Sequence, residues 1–191
     1  MILDIPGKSF GPRAVLGPIR LTLAAGERLA ILGPSGIGKS TLLRMIAGLD
    51  PEVTPPAARL AMVFQEPTLL PWRDAVQNLT LTTGCTLPEA RGWLEAVGLG
   101  GHGAHVPRQM SLGQQRRLSL ARAFAARPEV LLMDEPFASL DAETRGQMLA
   151  LTDRLLGQTG AALLIVTHDA TEATALRARP LHLSGSPAVL G

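Results

Sequence analysis

The sequence contains no tyrosine, two tryptophans and four phenylalanines in 191 residues. So few rings argue against a stacking platform for single-stranded nucleic acid. Lysine is nearly absent as well: Lys8 and Lys39 stand in an arginine-dominated set of 18 basic residues. A formal charge of +2, with the arginines scattered, makes no basic patch, so nucleic acid is not expected as a partner. The single cysteine, Cys85, excludes an internal disulfide and fits a reducing compartment. It reads as a small, partly buried side chain. Long apolar runs are missing too, and stretches such as Ala161 to Val166 fall far short of bilayer thickness. Met1-Ile2-Leu3-Asp4 opens without a basic or a long apolar region, so no secretory signal is expected. The expected place is cytoplasmic, and any membrane role must come through a partner.

What is present is a globular composition, 46% apolar and 18% charged, suited to one domain with a small inserted lobe. Residues 1–27 hold short apolar pieces broken by glycine and proline, with Leu21-Thr22-Leu23 alternating like a half-exposed strand. Buried strands are expected at Arg28 to Leu32, Leu60 to Gln65, Val130 to Asp134 and Ala162 to Thr167. Helices are expected at Ser40 to Gly48, Pro88 to Val97, Ser111 to about Arg127, Ala142 to Leu156 and Thr171 to Arg177. A proline-rich break covers Asp50 to Pro56. Residues 66–110 read as helical segments joined by glycine turns, an inserted helical lobe within one domain spanning 1–191. Strands alternating with helices predict an α/β fold with a mostly parallel sheet covered on both faces.

Between the first buried strand and the first helix runs Gly33-Pro34-Ser35-Gly36-Ile37-Gly38-Lys39-Ser40-Thr41, with the GxxxxGK[ST] spacing of a phosphate cradle. Its glycines let successive N–H groups turn inward on an anion. Lys39 can then reach the β- and γ-phosphates, and the Ser40 hydroxyl can ligate Mg²⁺. A glycine-rich turn that happens to hold a lysine is the plainer reading, but the strand before it and the helix after it argue for the nucleotide. A nucleoside triphosphate is therefore the expected ligand.

Val130 to Asp134 is an apolar strand ending in Asp134-Glu135. Strand C-termini open into the ligand crevice of a parallel sheet, so both carboxylates should arrive beside the cradle. Asp134 suits Mg²⁺, and Glu135 suits accepting a proton from an attacking water. Ser111-Leu112-Gly113-Gln114 has the form of a capping box, which from spacing alone is a good helix start.

Together these residues resemble the nucleotide-binding subunit of ABC transporters over essentially the whole chain. Gly33 to Thr41 resembles the Walker A motif, Gln65 the Q-loop glutamine, and Met110 to Gln114 the signature. Val130 to Glu135 resembles Walker B with its glutamate, Ser139-Leu140-Asp141 the D-loop, and His168 the switch histidine. The resemblance implies a P-loop NTPase core with a small antiparallel β lobe and an inserted helical lobe. It implies two ATPase subunits pairing head to tail, as a homodimer or with a similar chain. Ser111, Gly113 and Gln114 of one would then meet the nucleotide of the other, and Asp141 of the D-loop is among the implied nucleotide-binding residues. Glu135, His168 and Gln65 are the implied catalytic group, with Gln65, Ser40 and Asp134 around Mg²⁺. His102 and His105, in a glycine-rich loop, read as loop residues.

This sequence departs from the family pattern in three ways. Leu112 replaces the first signature glycine, while Gly113 is kept. Phe10, before Gly11, stands where an adenine-stacking tyrosine is usual, keeping the ring and losing the hydroxyl. The stretch from Lys39 to Gln65 is short, so the antiparallel lobe should be trimmed, and no C-terminal regulatory domain is expected. Gln65 to Trp72, Glu135 to Asp141 and Thr167 to Ala173 resemble importer forms, such as those for nitrate, sulfonates, taurine and thiamine-like compounds. The resemblance thus implies an ATP-driven importer with a transmembrane permease, indirectly a substrate-binding protein, and a place on the inner face of the membrane. Leu69-Leu70-Pro71-Trp72 could form part of a groove for a permease helix or be buried in the chain's own helical lobe. A soluble ABC protein acting on ribosomes or DNA would usually carry two modules or a coiled-coil insertion. A small-molecule kinase would have no use for signature, D-loop and switch histidine.

Overall fold

The structure, a computed structural model, describes every residue except Pro51, Glu52, Thr54 and Pro55. The proline-rich break expected over residues 50–56 therefore lies largely outside the described residues.

Four of the strands come where apolar runs without polar alternation predicted them. These are β5 (Arg28–Leu32), β6 (Leu60–Val63), β7 (Val130–Asp134) and β8 (Ala162–Thr167). They pair in parallel, and β9 (Arg179–Gly185) joins in parallel on the outer side of β5, giving the order β9-β5-β8-β7-β6. Successive strand residues point to opposite faces, so a doubly covered strand must be apolar on both. Leu29, Ile31, Leu132, Leu164 and Val166 accordingly face one layer, with Leu42, Leu43 and Met45 of α1 (Lys39–Ile46). Leu131, Met133, Leu163 and Ile165 face the other, with Leu118 and Phe124 of α4 (Leu112–Ala125) and Leu155 of α5 (Ala142–Thr159).

The large sheet continues beyond β9 through β10 (Ala188–Leu190) and the hairpin of β3 (Arg13–Leu16) with β2 (Lys8–Phe10). The hairpin turns at Gly11, whose φ of 58° favours glycine. A separate antiparallel ribbon pairs β1 (Ile2–Ile5) with β4 (Ile19–Thr22), burying Leu3, Ile5, Ile19 and Leu21. Of these end strands only β4 left a trace in the apolar pattern. The others are short, and β9 opens with Arg179 and Pro180 and is largely exposed.

Residues 66–110 contain no strand. They hold α2 (Ala75–Thr83), α3 (Leu87–Ala96) and two 3-10 turns, Gly100–His102 and Pro107–Gln109. Each helix start is chemically marked: Asp74 with Gln77, and Thr86 with Glu89, form reciprocal capping boxes. Trp93 stacks on Phe124 at 6.1 Å, fastening α3 to α4. A final helix, α6 (Ala170–Ala175), follows β8. Helix ends shift by at most three residues from expectation; α5 starts at Ala142 as expected and runs on to Thr159, where Gly160 at φ 70° closes it.

Candidate functional site

The loop from β5 to α1 must reverse direction within Gly33 to Gly38, and glycine makes the reversal possible. Gly36 and Gly38 have φ of 77° and 113°. A Cβ on Gly33 would come within 2.9 Å of the Leu183 carbonyl oxygen, and one on Gly38 within 2.9 Å of the Leu16 side chain. Gly38 caps α1 without a side-chain hydrogen bond, and no acidic residue lies in the first turn. The unpaired N–H groups and the positive dipole end therefore stay available to an anion. Lys39 is only 4% exposed, and its ammonium donates to the carbonyls of Gly33 (2.9 Å) and Pro34 (3.0 Å). Its third donor faces Glu135 Oε1 at 3.2 Å.

The other half of the site comes from the ends of β7 and β8. Asp134, the last residue of β7, accepts the Ser40 hydroxyl at 2.7 Å. Burial pushes its carboxyl above the ordinary aspartate range, and the charge of Glu135 adds to this. The Ser40 hydroxyl and the cations Arg44 and Lys39 pull the other way. A hydroxyl and a carboxylate oxygen in contact are hard donors of the kind Mg²⁺ takes. Glu135 leaves the strand in a left-handed conformation, φ 41°, with its N–H held by the Val166 carbonyl at 3.0 Å. The turn aims its carboxylate at Lys39 on one side and at His168 Nδ1, 3.2 Å away, on the other. His168 is exposed just past β8, where Asp169 caps α6 and Thr171 holds the Asp169 carboxyl below its usual range.

An open cleft of about 430 Å³ joins these parts. Ser35, Gly36, Gly38, Lys39, Ser40 and Thr41 line it together with Gln65, Glu135 and Phe10. Phe10 is 57% exposed, with Lys8 Nζ 5.5 Å from its ring centre. Ile37 instead turns partly inward against the core. Arg13 also lines the cleft, so Lys39 is not its only cation. Only the β2–β3 hairpin brings Arg13 there, and its sequence neighbourhood carried no signal. A hollow of similar volume, about 440 Å³, lies at the opposite ends of the strands between Leu23, Trp93 and Phe124. It holds none of the expected site residues.

Ser111, Gly113 and Gln114 do not line the cleft. They sit at the start of α4, where Ser111 Oγ accepts from the Gln114 amide and Gln114 Oε1 from the Ser111 N–H (2.9 Å). Leu112 beside them is 50% exposed. A Cβ on Gly113 would lie 3.8 Å from Thr144, so this turn abuts the start of α5. Asp141 caps that helix, and the Thr144 N–H holds its carboxyl below the ordinary range. His102 ends a 3-10 turn and His105 lies in the loop after it; their rings stand 5.1 Å apart, and His102 Nε2 meets Gln114 Nε2 at 3.0 Å. Glycine spacing gave no hint of that contact, which depends on how the 3-10 turn folds back on α4.

After Gln65 the chain divides its apolar residues. Leu69 packs on the core, while Trp72 is 70% exposed. Buried Asn78 fixes this segment: its side-chain amide accepts from the Leu70 N–H and donates to the carbonyls of Leu70, Arg73 and Asp74. Arg122 grips Thr68 from α4. Among the described residues no helix is long and apolar enough to cross a membrane.

Residues 16–138 match the family described as ABC transporter. The aliphatic sulfonates import ATP-binding protein SsuB 1 of Xanthomonas axonopodis pv. citri is 41% identical over 207 residues, covering 98% of this chain and 82% of its own. A protein of the same description, SsuB 2 of Frankia alni, is 46% identical, covering 92% of this chain and 74% of its own. Among solved structures, a dimeric ATP-binding cassette in a post-hydrolysis state with ADP and Pi superposes with a TM-score of 0.80 at 26% identity. That match covers 100% of this chain and 96% of the other. With the family match spanning the phosphate loop and the carboxylate strand, the chain belongs to the ABC transporter family.

Proposed function

We propose that this chain is the ATP-hydrolysing subunit of a membrane importer, working by head-to-tail dimerisation. The observation that carries the reading is that Lys39 and Ser40, Asp134 and Glu135, and His168, from three separate segments, meet beside one cleft. Family membership and the importer names of relatives at 38–46% identity support it.

Each residue then has a definite task. Phe10 offers a ring face to the adenine. The backbone from Gly33 to Gly38 and the start of α1, with Thr41, cradle the phosphates, and Lys39 neutralises them. Ser40 and Asp134, with Gln65, are the residues that would hold Mg²⁺, whose charge stabilises phosphate oxygens during transfer. Glu135 takes the proton of the attacking water. Its carboxylate begins paired with Lys39, and phosphate competes for that ammonium, which frees the base. His168 and Gln65 position the γ-phosphate and the water.

Ser111, Gly113 and Gln114 act on the nucleotide of a second subunit. The Ser111 oxygen is taken by a capping bond, yet its hydrogen and the free N–H groups of the first turn of α4 still suit a phosphate. Asp141 lies at the same junction. The pair is a homodimer or a dimer with a similar ATPase. Residues 66–110 form an inserted helical lobe, and the exposed Trp72 on its rigidly held segment is suited to a permease helix. The subunit would thus sit on the inner face of the membrane through its permease, supplied by a substrate-binding protein. The relatives' names concern aliphatic sulfonates, but such specificity resides in those partner subunits. The reading is tested by Mg²⁺-dependent ATP hydrolysis by the purified chain, with Glu135→Gln expected to accumulate an ATP-bound dimer by size-exclusion chromatography. A Glu135→Gln protein that turns over at the wild-type rate overturns it.

A further inference from the structure

One buried charge takes no part in that account. Arg116, five residues beyond Ser111 on α4, is 8% exposed and has no ion-pair partner among the described residues. Its Nη2 donates to the Ala138 carbonyl at 2.8 Å, while Nε and Nη1 find no protein acceptor. Ser119 Oγ, one turn along the same helix and 2% exposed, is likewise unpartnered. Both border a small cavity of about 10 Å³ between Phe64, Met133 and Phe137, room for about one water molecule. Desolvation holds the guanidinium below the ordinary arginine range, as befits a cation with no carboxylate to answer it. A buried, half-satisfied charge is costly to a fold, and such departures concentrate at functional sites.

The one acceptor Arg116 does have is well placed. Ala138 lies in the turn after β7, where Glu135 and Ser139 both hold left-handed backbone, φ 41° and 62°. The Ala138 N–H donates to the Glu135 carbonyl at 3.2 Å. The Ala138 peptide groups thus join Arg116 on one side to the backbone of Glu135 on the other. A turn with two strained residues needs outside contacts to hold it, and Arg116 provides one from the helix that begins at Ser111.

We propose that Arg116 is a positioning residue for hydrolysis, fixing the Ala138 carbonyl and with it the turn that aims Glu135 into the cleft. This rests on Glu135 being the base. The guanidinium does not line the cleft; its effect reaches the chemistry only through the backbone from 135 to 139. Its loss therefore slows turnover without weakening nucleotide binding. A merely structural arginine would instead lower stability and leave the rate of the folded protein alone.

The test uses the full chain. Arg116→Met is expected to bind ATP within about twofold of wild type by calorimetry while kcat falls at least tenfold. Arg116→Lys, which keeps a cation able to donate to the carbonyl, is expected to recover most of the rate. If methionine is not tolerated at this position, Arg116→Ala serves, with methylguanidinium in the assay expected to restore part of its kcat. In a Glu135→Gln background the Arg116 substitution should cause no further loss. Wild-type kcat in the folded Arg116 variant, or a further tenfold loss on top of Glu135→Gln, overturns the proposal. A Glu135→Gln protein with near-wild-type turnover overturns the base assignment itself, and this proposal with it.

Discussion

The two ends of the nucleotide machinery are built differently. Beside the cleft, Lys39 already meets Glu135, Ser40 meets Asp134 and Glu135 meets His168, and Lys39 and Asp134 are almost fully buried. At the start of α4, Ser111 and Leu112 face solvent, the Ser111 and Gln114 side chains bond to each other's backbone, and the Gln114 side chain also meets His102. The cleft is assembled within a single chain; the start of α4 is a finished helix end outside it, which on the proposed reading meets the nucleotide of a second subunit. The contrast says where hydrolysis can be broken inside one subunit and where only in the pair.

The largest effect is expected inside the cleft. Glu135→Gln should reduce kcat by about 10²–10⁴-fold, the usual contribution of a general base, with ATP affinity kept, as single-turnover assays and calorimetry would establish. Lys39→Ala should act on binding itself, lowering ATP affinity by about 10–100-fold, the range of a lost charge-assisted hydrogen bond. Arg13, the second cation on the cleft, keeps the loss from being total. Wild-type affinity by calorimetry would remove Lys39 from the cradle.

Ser111→Arg tests the other half. Monomeric ATP binding should stay unchanged while dimerisation and hydrolysis fail, because the side chain fills the helix N-terminus and sets a cation at the wrong dipole end. Mixed with Lys39→Ala subunits, it should regain some activity if one intact composite site suffices. Full hydrolysis by Ser111→Arg alone would reduce Ser111 to a helix cap. Trp72→Ala should leave ATPase activity of the isolated chain within about twofold of wild type, since Trp72 is exposed and outside the cleft. Pull-down with membrane subunits should weaken.

The smallest expected effect is on pH dependence of stability. Buried Glu172, bonded to the Thr167 hydroxyl at 2.7 Å, has its carboxyl raised above the ordinary range by burial, as Asp134 does. A raised folded-state pKa means the native chain binds more protons than the unfolded one between the two values. Stability should therefore fall as pH rises from about the ordinary carboxylate pKa through the raised one. Glu172→Gln should flatten part of that fall in urea titrations at several pH values. An unchanged slope would show that Glu172 titrates normally.

Local chemistry wrote the phosphate loop, the four central strands and the helix caps plainly into the sequence. Glycines at forced dihedral angles, unbroken apolar runs and Ser111 with Gln114 each carry their cause within a few residues. The end strands other than β4 were hidden because three- and four-residue segments show no period and the seven-residue β9 is largely exposed, and Arg13 because only the hairpin carries it to the cleft. Asn78 and Arg116 were hidden for a related reason: their partners are backbone carbonyls, which every residue has and no sequence pattern marks.

By itself, then, the sequence determined the α/β alternation, the cradle and the identities of the groups beside it. Only the tertiary structure decided that Lys39 pairs with Glu135, that Trp72 stays outside while Leu69 goes in, and that a buried arginine braces the turn behind Glu135. The division follows from range. Dihedral preference and capping act within one turn of chain, whereas burial and ion pairing depend on which distant segments the folded sheet brings together.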